Sequence, residues 1–449
     1  MDAVILAAGK STRMKSKTSK IFHEVCGRPL IFYVVEALKN FKIHIIANPL
    51  NHEHLKNLFN FAKIHIQNQQ KGTLDAVKCA IDDISSPYFA VVNADTPLID
   101  GSDIEAAFEI AKTENSECVL ITAVLDDPYG YGRIVQTKEG LKIVEEKEAT
   151  EEIKKIKEIN SGIYIFKTES FKKVMNLVKP SQTTGELYLP DVVGLLKNIK
   201  TLKVNARKIL GVNTKKQLAE VRRIIQQRIL DRFDDVSFVD PDSTYINYDV
   251  KIGSDTIIFP GVNIRGNTKI GRDCIIENGS VIENSIIGDN VHIKPYSVIE
   301  ESCIANNCQI GPFAHLRPLS RLSENVRIGN FVETKKVEIG KGSKASHLTY
   351  LGDAKLGEDV NVGCGTITCN YDGYQKNETI IGDRVFIGSD VQLVAPVKVG
   401  DDALIAAGTT VTKDVEPFAL AISRVPQTNK KDWVKKYRKA MEEKLGKKR

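Results

Sequence analysis

Ile252, Ile258, Ile264, Ile270, Ile276 and Ile282 recur every six residues without a slip. Neither an α-helix nor an ordinary strand has that period. A coil with three flat sides, each about one hexad long, does. Gly253 and Gly271 follow two of these residues directly, and Gly261, Gly266 and Gly279 sit more loosely in phase. The period resumes at Ile287, Ile293 and Ile299, and again at Ile304, Ile310, Leu316, Leu322 and Ile328. Ile381, Ile387, Leu393, Val399, Ile405 and Val411 carry it to the end. The pattern predicts a left-handed parallel β-helix. One aliphatic per hexad points inward and stacks on its counterpart in the next coil, burying apolar surface worth roughly 25 cal/mol per Å². Glycine, Asn and Asp are expected at the corners, where φ is unusual. At about 18 residues per coil, residues 249–424 make on the order of ten coils, a prism roughly 50 Å long. The flanks of such a prism are expected to pack as a closed homotrimer.

A chain of 449 residues exceeds a single core, so at least two domains are expected. The first half alternates β-rich runs (3–7, 43–47, 64–67, 88–93) with helical runs (30–38, 73–82, 102–115). That alternation predicts an α/β, Rossmann-like domain with a mostly parallel sheet covered by helices. In such sheets ligands bind beyond the carboxyl ends of the strands. Thr214 can cap a long helix whose apolar stripe is Leu218, Val221, Ile225 and Ile229. It reads equally as a linker or as part of the first domain's core. The division is 1–213 for the α/β domain, 214–235 for the joining helix, 236–427 for the β-helix and 428–449 for a tail.

The net charge of +6 is located in that tail. Residues 430–449 hold ten Lys or Arg against Asp432, Glu442 and Glu443, a surplus of +7 that leaves the rest at −1. The body is therefore near neutral, and no nucleic-acid partner is expected. The tail reads as a solvated or frayed terminus, or as a contact to an anionic ligand or a neighbouring subunit. The eight cysteines form no CxxC and are scattered, which fits reduced thiols in a cytoplasmic protein. Neither a signal peptide nor a membrane span is expected, because no apolar run is long enough.

The first strand leads into Leu6-Ala7-Ala8-Gly9-Lys10-Ser11-Thr12-Arg13-Met14, followed by Lys20. A small-residue turn lets backbone N–H groups approach a polyphosphate. Arg13 and Lys20 would offset charge on a transferred phosphoryl group. Gly9-Lys10-Ser11 imitates a P-loop ending, but Val4 stands where its first Gly belongs. Gln67 ends a strand and Gly72-Thr73 opens a helix, a place to recognise a base. Asp95 follows a strand at the sheet's carboxyl edge, which suits either a Mg²⁺ ligand or a loop cap. Gly130-Tyr131-Gly132-Arg133, Glu145, Asn160 and Asn213 are further polar positions near strand or loop ends. Taken singly, each could be structural.

Between residues 339 and 380 the hexads are disturbed. Lys335, Lys336, His347, Tyr350, Asn361, Asn370, Tyr371 and Lys376 gather in and beside that stretch. A β-helix core needs none of them, and irregular stretches on a rigid scaffold are where function sits.

These motifs appear in family order. With Glu158-Ile159-Asn160-Ser161-Gly162, Gly211-Val212-Asn213, the run from Gly340 to Asp353, the run from Gly365 to Gly373 and Ala421 to Gln427, the chain resembles one family throughout. It is the bacterial bifunctional N-acetylglucosamine-1-phosphate uridylyltransferase / glucosamine-1-phosphate acetyltransferase family. The chain departs from the family pattern at Ser11, Ser19, Ala94 and Leu74-Asp75, the last standing where members often have Gly-His.

The resemblance implies a two-site enzyme that makes UDP-N-acetylglucosamine from glucosamine-1-phosphate, acetyl-CoA and UTP, with Mg²⁺ for the second step. In the first domain it implies that Leu6, Ala7, Ala8 and Gly9 line the nucleotide site and that Arg13 and Lys20 contact phosphates. Gln67, Gly72 and Thr73 would hold uracil, and Gly130, Glu145 and Asn160 would hold the N-acetylglucosamine-1-phosphate. Asp95 and Asn213 would bind Mg²⁺. In the second domain His347 would be the general base, and Arg317, Lys335, Tyr350, Asn361 and Lys376 would bind glucosamine-1-phosphate. Asn370 and Tyr371 would flank the reacting groups, with Ser389, Ala407 and Arg424 along acetyl-CoA. The competing expectation is a sugar-1-phosphate nucleotidyltransferase whose β-helix is only regulatory or structural.

Overall fold

A computed structural model describes every residue except 10–11, 138–139, 183 and 447–449. The Lys10-Ser11 pair and the last three basic residues of the tail thus lie outside the described residues. The chain forms two compact units, residues 1–232 with 246–248, and residues 233–245 with 249–449.

In the first unit the elements that place the site are β1 (Asp2–Leu6), α1 (Leu30–Ala37), β2 (Lys42–Ala47), β3 (Lys63–Ile66), α2 (Thr73–Lys78) and β4 (Tyr88–Asn93). They continue with α3 (Gly101–Thr113), β5 (Cys118–Val124), β6 (Arg133–Thr137), β7 (Gly140–Val144), β8 (Glu158–Lys167) and β9 (Ile199–Lys203). The main sheet runs β9-β5-β8-β4-β1-β2-β3. β1 is parallel to both β2 and β4, and β3 is parallel to β2. Only β8 breaks the pattern in that row, antiparallel to β4 and β5. The β6–β7 hairpin pairs onto β8 at one end.

β1 is covered on both faces, which is why it reads as an unbroken apolar run. Ala3 and Ile5 pack with Ile31, Val34 and Phe108, whereas Val4 packs with Leu74, Val77 and Phe171. The parallel strands β1 and β4 end side by side at Leu6 and Asn93, so the loops that follow open at one edge. α4 (Lys215–Leu230) also belongs to this unit. Thr214 and Gln217 form a reciprocal capping box at its start, and Leu218, Val221, Ile225 and Ile229 are buried.

The second unit is the parallel β-helix that the hexads imply. Short strands pair with the third strand onward, so three columns of inward residues run along it. One column is Ile258, Ile276, Ile293, Ile310 and Ile328. A second is Ile264, Ile282, Ile299, Leu316 and Thr334. Buried Thr334 meets Ser320 at 2.9 Å, oxygen to oxygen, so its hydroxyl is satisfied inside the column.

Two departures refine the sequence reading. The stretch from 339 to 362 is in register: β10 (Arg327–Ile339) and β11 (Lys344–Leu356) pair along their length, and Ala345 stacks on Ile328. β12 (Asn361–Val362) and β13 (Ile367–Cys369) continue it. The real interruption is the segment from Tyr371 to Glu378, which makes Val362 pair with Ile387 rather than with a residue one ordinary coil away. The corners also differ. One is turned by Asp255, Asp273, Asn290, Asn307 and Asn325 at positive φ, as expected. Another is turned by Tyr296, Phe313, Phe331 and Leu348, bulky residues that rarely adopt φ > 0. Their rings stack, Tyr296 on Phe313 at 5.4 Å and Phe313 on Phe331 at 5.5 Å, and this contact offsets the backbone cost.

The described part of the tail is a helix, α5 (Trp433–Leu445), with no residue buried in the single chain. Trp433 and Tyr437 stack along it with centroids 5.1 Å apart.

Candidate active sites

At the carboxyl edge of β1 and β4 lies a cavity of about 450 Å³. Leu6, Ala7, Ala8 and Gly9 line it, together with Gln67, Gly72 and Thr73 and with Lys20 and Asp95. A cavity of about 570 Å³ adjoins it and shares Leu6, Thr73 and Asn93. Gly130, Glu145 and Asn160 line this second space, and Arg13 falls here too. The residues that the sequence assigned to nucleotide and to sugar thus occupy neighbouring hollows.

Between β4 and the start of α4 the chain builds a small polar knot. The Val212 N–H donates to the Asp95 carbonyl at 2.8 Å, and the Asn213 N–H to Gln217 Oε1 at 2.9 Å. Asn213 is thereby held beside Asp95. Lys20 Nζ pairs with the Asp95 carboxylate and donates to Asn213 Oδ1 at 3.0 Å. An ammonium group occupies the point on which two oxygen donors converge. Among the described residues no group of three or more His, Cys, Asp or Glu gathers as a metal site. The knot still suits a hard cation, because Mg²⁺ takes few protein oxygens and completes its shell with phosphate and water.

The second cavity is acidic. Burial pushes the Glu145 carboxyl above its usual range; Glu148 and Asp191 push the same way and Arg133 opposes them. Arg133 itself is buried and pairs with Glu146 at 2.7 Å. Asn160 donates to the Tyr164 hydroxyl at 2.7 Å, and its Oδ1 accepts from the Gly162 N–H at 3.1 Å.

In the β-helix, cations collect on one side. The Arg317 N–H meets the Thr334 carbonyl at 2.9 Å, which places Arg317 level with Lys335 one coil on; Lys335 is in turn paired with Gly352. Tyr350 lies over Gly352, where any Cβ would collide with its ring. Lys376 reaches this row from the interrupting segment. The contact with Lys376 holds the Lys335 ammonium below its usual pKa; partial burial and Arg317 act the same way, and Asp353 opposes. Asn370 is buried and donates to Asp353 at 2.6 Å. Tyr371 is exposed, with its hydroxyl on the Gly373 carbonyl at 2.7 Å. Asn361 is not brought to this row. It pairs with Lys344 and Phe386, one side of the coil earlier than Tyr350, which pairs with Ile367.

His347, Ser389 and Ala407 form an edge. Each directly precedes a corner residue at positive φ: Leu348, Asp390 and Gly408. Backbone bonds link these corners, from Gly365 N–H to Leu348 O at 2.8 Å, from Asp390 N–H to Cys364 O at 2.7 Å and from Gly408 N–H to Ser389 O at 2.8 Å. Arg424 Nη1 donates to the Ala407 carbonyl at 2.5 Å and ends the row. His347 is exposed in the single chain, and its Nδ1 lies 2.8 Å from Asn330 Oδ1.

Sequence reading missed Asn330, Cys364 and Asp353, and it marked Asp75 only as part of the Leu74-Asp75 departure. Coil arithmetic could have found the first two, since they sit one coil either side of His347. Asp353 carries no pattern that marks it.

An NTP-transferase unit followed by a hexapeptide β-helix defines a two-domain transferase. Residues 3–141 match the MobA-like NTP transferase domain, residues 242–341 the GMPPB C-terminal domain and residues 378–413 the bacterial transferase hexapeptide (six repeats). The chain is 45% identical over 451 residues to the bifunctional protein GlmU of Listeria welshimeri, covering 97% of this chain and 98% of that one. It is 46% identical over 452 residues to the bifunctional protein GlmU of Trichlorobacter lovleyi, again over 97% and 98%. The chain belongs to the family of bifunctional GlmU proteins, enzymes with a uridylyltransferase and an acetyltransferase activity. No described helix is long and apolar enough to cross a membrane.

Proposed function

We propose that the second unit acts first, moving an acetyl group from acetyl-CoA to the amine of glucosamine-1-phosphate. The first unit then joins the N-acetylglucosamine-1-phosphate to the uridylyl group of UTP, and pyrophosphate leaves. The observation that carries this reading is the pair of separate constellations in one chain: Lys20 with Asp95 and Asn213, and Arg317, Lys335 and Lys376 around Tyr350.

In the first unit the sugar-phosphate oxygen attacks the α-phosphorus of UTP in line. Positioning and charge neutralisation suffice, with no protein nucleophile. Gln67, Gly72 and Thr73 hold the uracil, the Leu6–Gly9 turn and Arg13 hold phosphates, and Gly130, Glu145 and Asn160 hold the sugar. Asp95 and Asn213 would hold Mg²⁺, with Lys20 turned to the phosphates. When bound, that ion supplies positive charge against the charge building on the phosphate oxygens.

In the second unit Asn330 Oδ1 can only accept, so in the neutral ring the His347 proton sits on Nδ1 and the lone pair on Nε2. That nitrogen takes a proton from the glucosamine ammonium group. The freed amine attacks the thioester carbon, and coenzyme A leaves as the thiol. Arg317, Lys335 and Lys376 meet the phosphate of glucosamine-1-phosphate. Asn370 and Tyr371 flank the reacting groups, and acetyl-CoA lies along the Ser389–Ala407–Arg424 edge. Asn361 on another side of the coil, together with the exposure of His347, fits a site completed by a second copy in a homotrimer. Both co-substrates are cytoplasmic metabolites, and we place the protein there.

Single substitutions separate the halves. His347→Ala is expected to lower acetyl transfer by about 10²–10⁴ and leave uridylyl transfer within about twofold. Asp95→Asn is expected to do the reverse. Loss of both activities in either folded variant contradicts two independent sites.

A further inference from the structure

Gln67 is buried at the wall of the first cavity, with a relative exposure of 4%. Its side-chain amide has two hydrogens, and both are committed. Nε2 donates to the Gly72 carbonyl at 3.0 Å and to Asp75 Oδ2 at 2.8 Å. A carbonyl oxygen and a carboxylate can only accept, so they fix which way the amide faces. What Gln67 has left to offer a ligand is the acceptor Oε1.

The two anchors are themselves held. Gly72 sits at φ 112°, and a Cβ there would lie 2.3 Å from the Leu187 carbonyl oxygen, so only glycine fits. The Leu187 N–H donates to Lys71 O at 2.7 Å, the Leu74 N–H to Leu187 O at 3.0 Å and the Leu189 N–H to Thr73 Oγ1 at 2.9 Å. The turn from residue 71 to 74 is thus pinned to residues 187–189, and Asp75 rides on the first turn of α2 behind it.

We propose that Asp75 is a specificity-positioning residue. It locks the Gln67 amide so that an acceptor faces the base, which selects a pyrimidine that donates at N3 over one that accepts there. This rests on the nucleotide reading of the first unit given above. Uracil carries N3–H and matches Gln67 Oε1. Cytosine presents a lone pair at N3 and leaves two acceptors facing each other. Sites built around a substrate N–H reject the analogue that lacks it, because a buried polar group is left unpaired. Without Asp75 the amide keeps one anchor, Gly72, and can turn its NH₂ toward cytosine N3.

The test is the ratio of kcat/KM for UTP to that for CTP in nucleotidyl transfer to N-acetylglucosamine-1-phosphate. It is measured on the full-length protein for wild type, Asp75→Ala and Asp75→Asn. Circular-dichroism melts of the same preparations, compared with wild type, report that each variant is folded. Asp75→Ala is expected to narrow the ratio by about tenfold or more. Asp75→Asn keeps an acceptor oxygen toward Gln67 and is expected to stay within about threefold of wild type. An Asp75→Ala ratio within about threefold of wild type overturns the proposal, and so does an Asp75→Asn ratio that collapses as the alanine variant does. Wild-type protein with no preference for UTP overturns the nucleotide reading itself, and the proposal with it.

Discussion

His65 shows how one buried side chain sets a stability limit away from the chemistry. Its ring stacks on His44 with centroids 5.3 Å apart, and His44 in turn lies 2.9 Å from Asp2 Oδ1. Burial holds the His65 pKa below its ordinary 6.5, and His44 and Lys63 add to this while Asp83 opposes. The folded chain therefore binds fewer protons than the unfolded one between 6.5 and the lowered value. The stability this contributes is complete above pH 6.5 and is lost as pH falls through the folded pKa. Asp2 acts lower. Burial alone would raise its carboxyl, but hydrogen bonds from Ser86 and His44 outweigh that and hold it at about 2. Its share is present above 3.8 and is lost only as pH falls toward 2. Denaturant unfolding of wild type should thus show falling stability as pH drops below 6.5, and His65→Gln should flatten that slope. An unchanged slope in the variant would exclude His65 as its source.

At the scale of elements the β-helix columns make a sharp distinction between adjacent residues. Ile276 is fully buried in its column, while Ile275 beside it is 36% exposed. Ile276→Ala should cost about 2–5 kcal/mol, whereas Ile275→Ala should stay well below that. Urea melts of the two variants read the difference, and equal costs would mean that the columns do not carry the core.

The same contrast explains what was legible beforehand. Aliphatic hexads mark columns wherever isoleucine fills them, so the prism could be read from residue 252 onward. Where Ala345, Thr334 and Thr368 take the inward places, the period fades although the coil continues. Corners were legible as Asn, Asp or Gly, but not where Tyr296, Phe313 and Phe331 compensate a strained backbone by stacking. The first unit's strands were legible because sheets buried on both faces give unbroken apolar runs. Site residues at strand ends could be named from motifs. The partner of Gln67, Asp75, could not be given that role, because it depends on a turn geometry, whereas Asn330 beside His347 was within reach of coil arithmetic.

For the whole molecule, the proposed function is two reactions in series on two units, with an intermediate that leaves one site and enters the other. Neither constellation contains a residue from the other, and each unit builds its own from local strand ends, corners and loops. The direct measurement mixes two inactive proteins. His347→Ala alone should make almost no UDP-N-acetylglucosamine from glucosamine-1-phosphate, acetyl-CoA and UTP, and neither should Asp95→Asn alone. Combined in one tube they should restore product formation to about half the wild-type rate per total protein or better, with free N-acetylglucosamine-1-phosphate detectable in transit. A mixture as inactive as its components, while each keeps its remaining partial reaction, would contradict a freely passed intermediate.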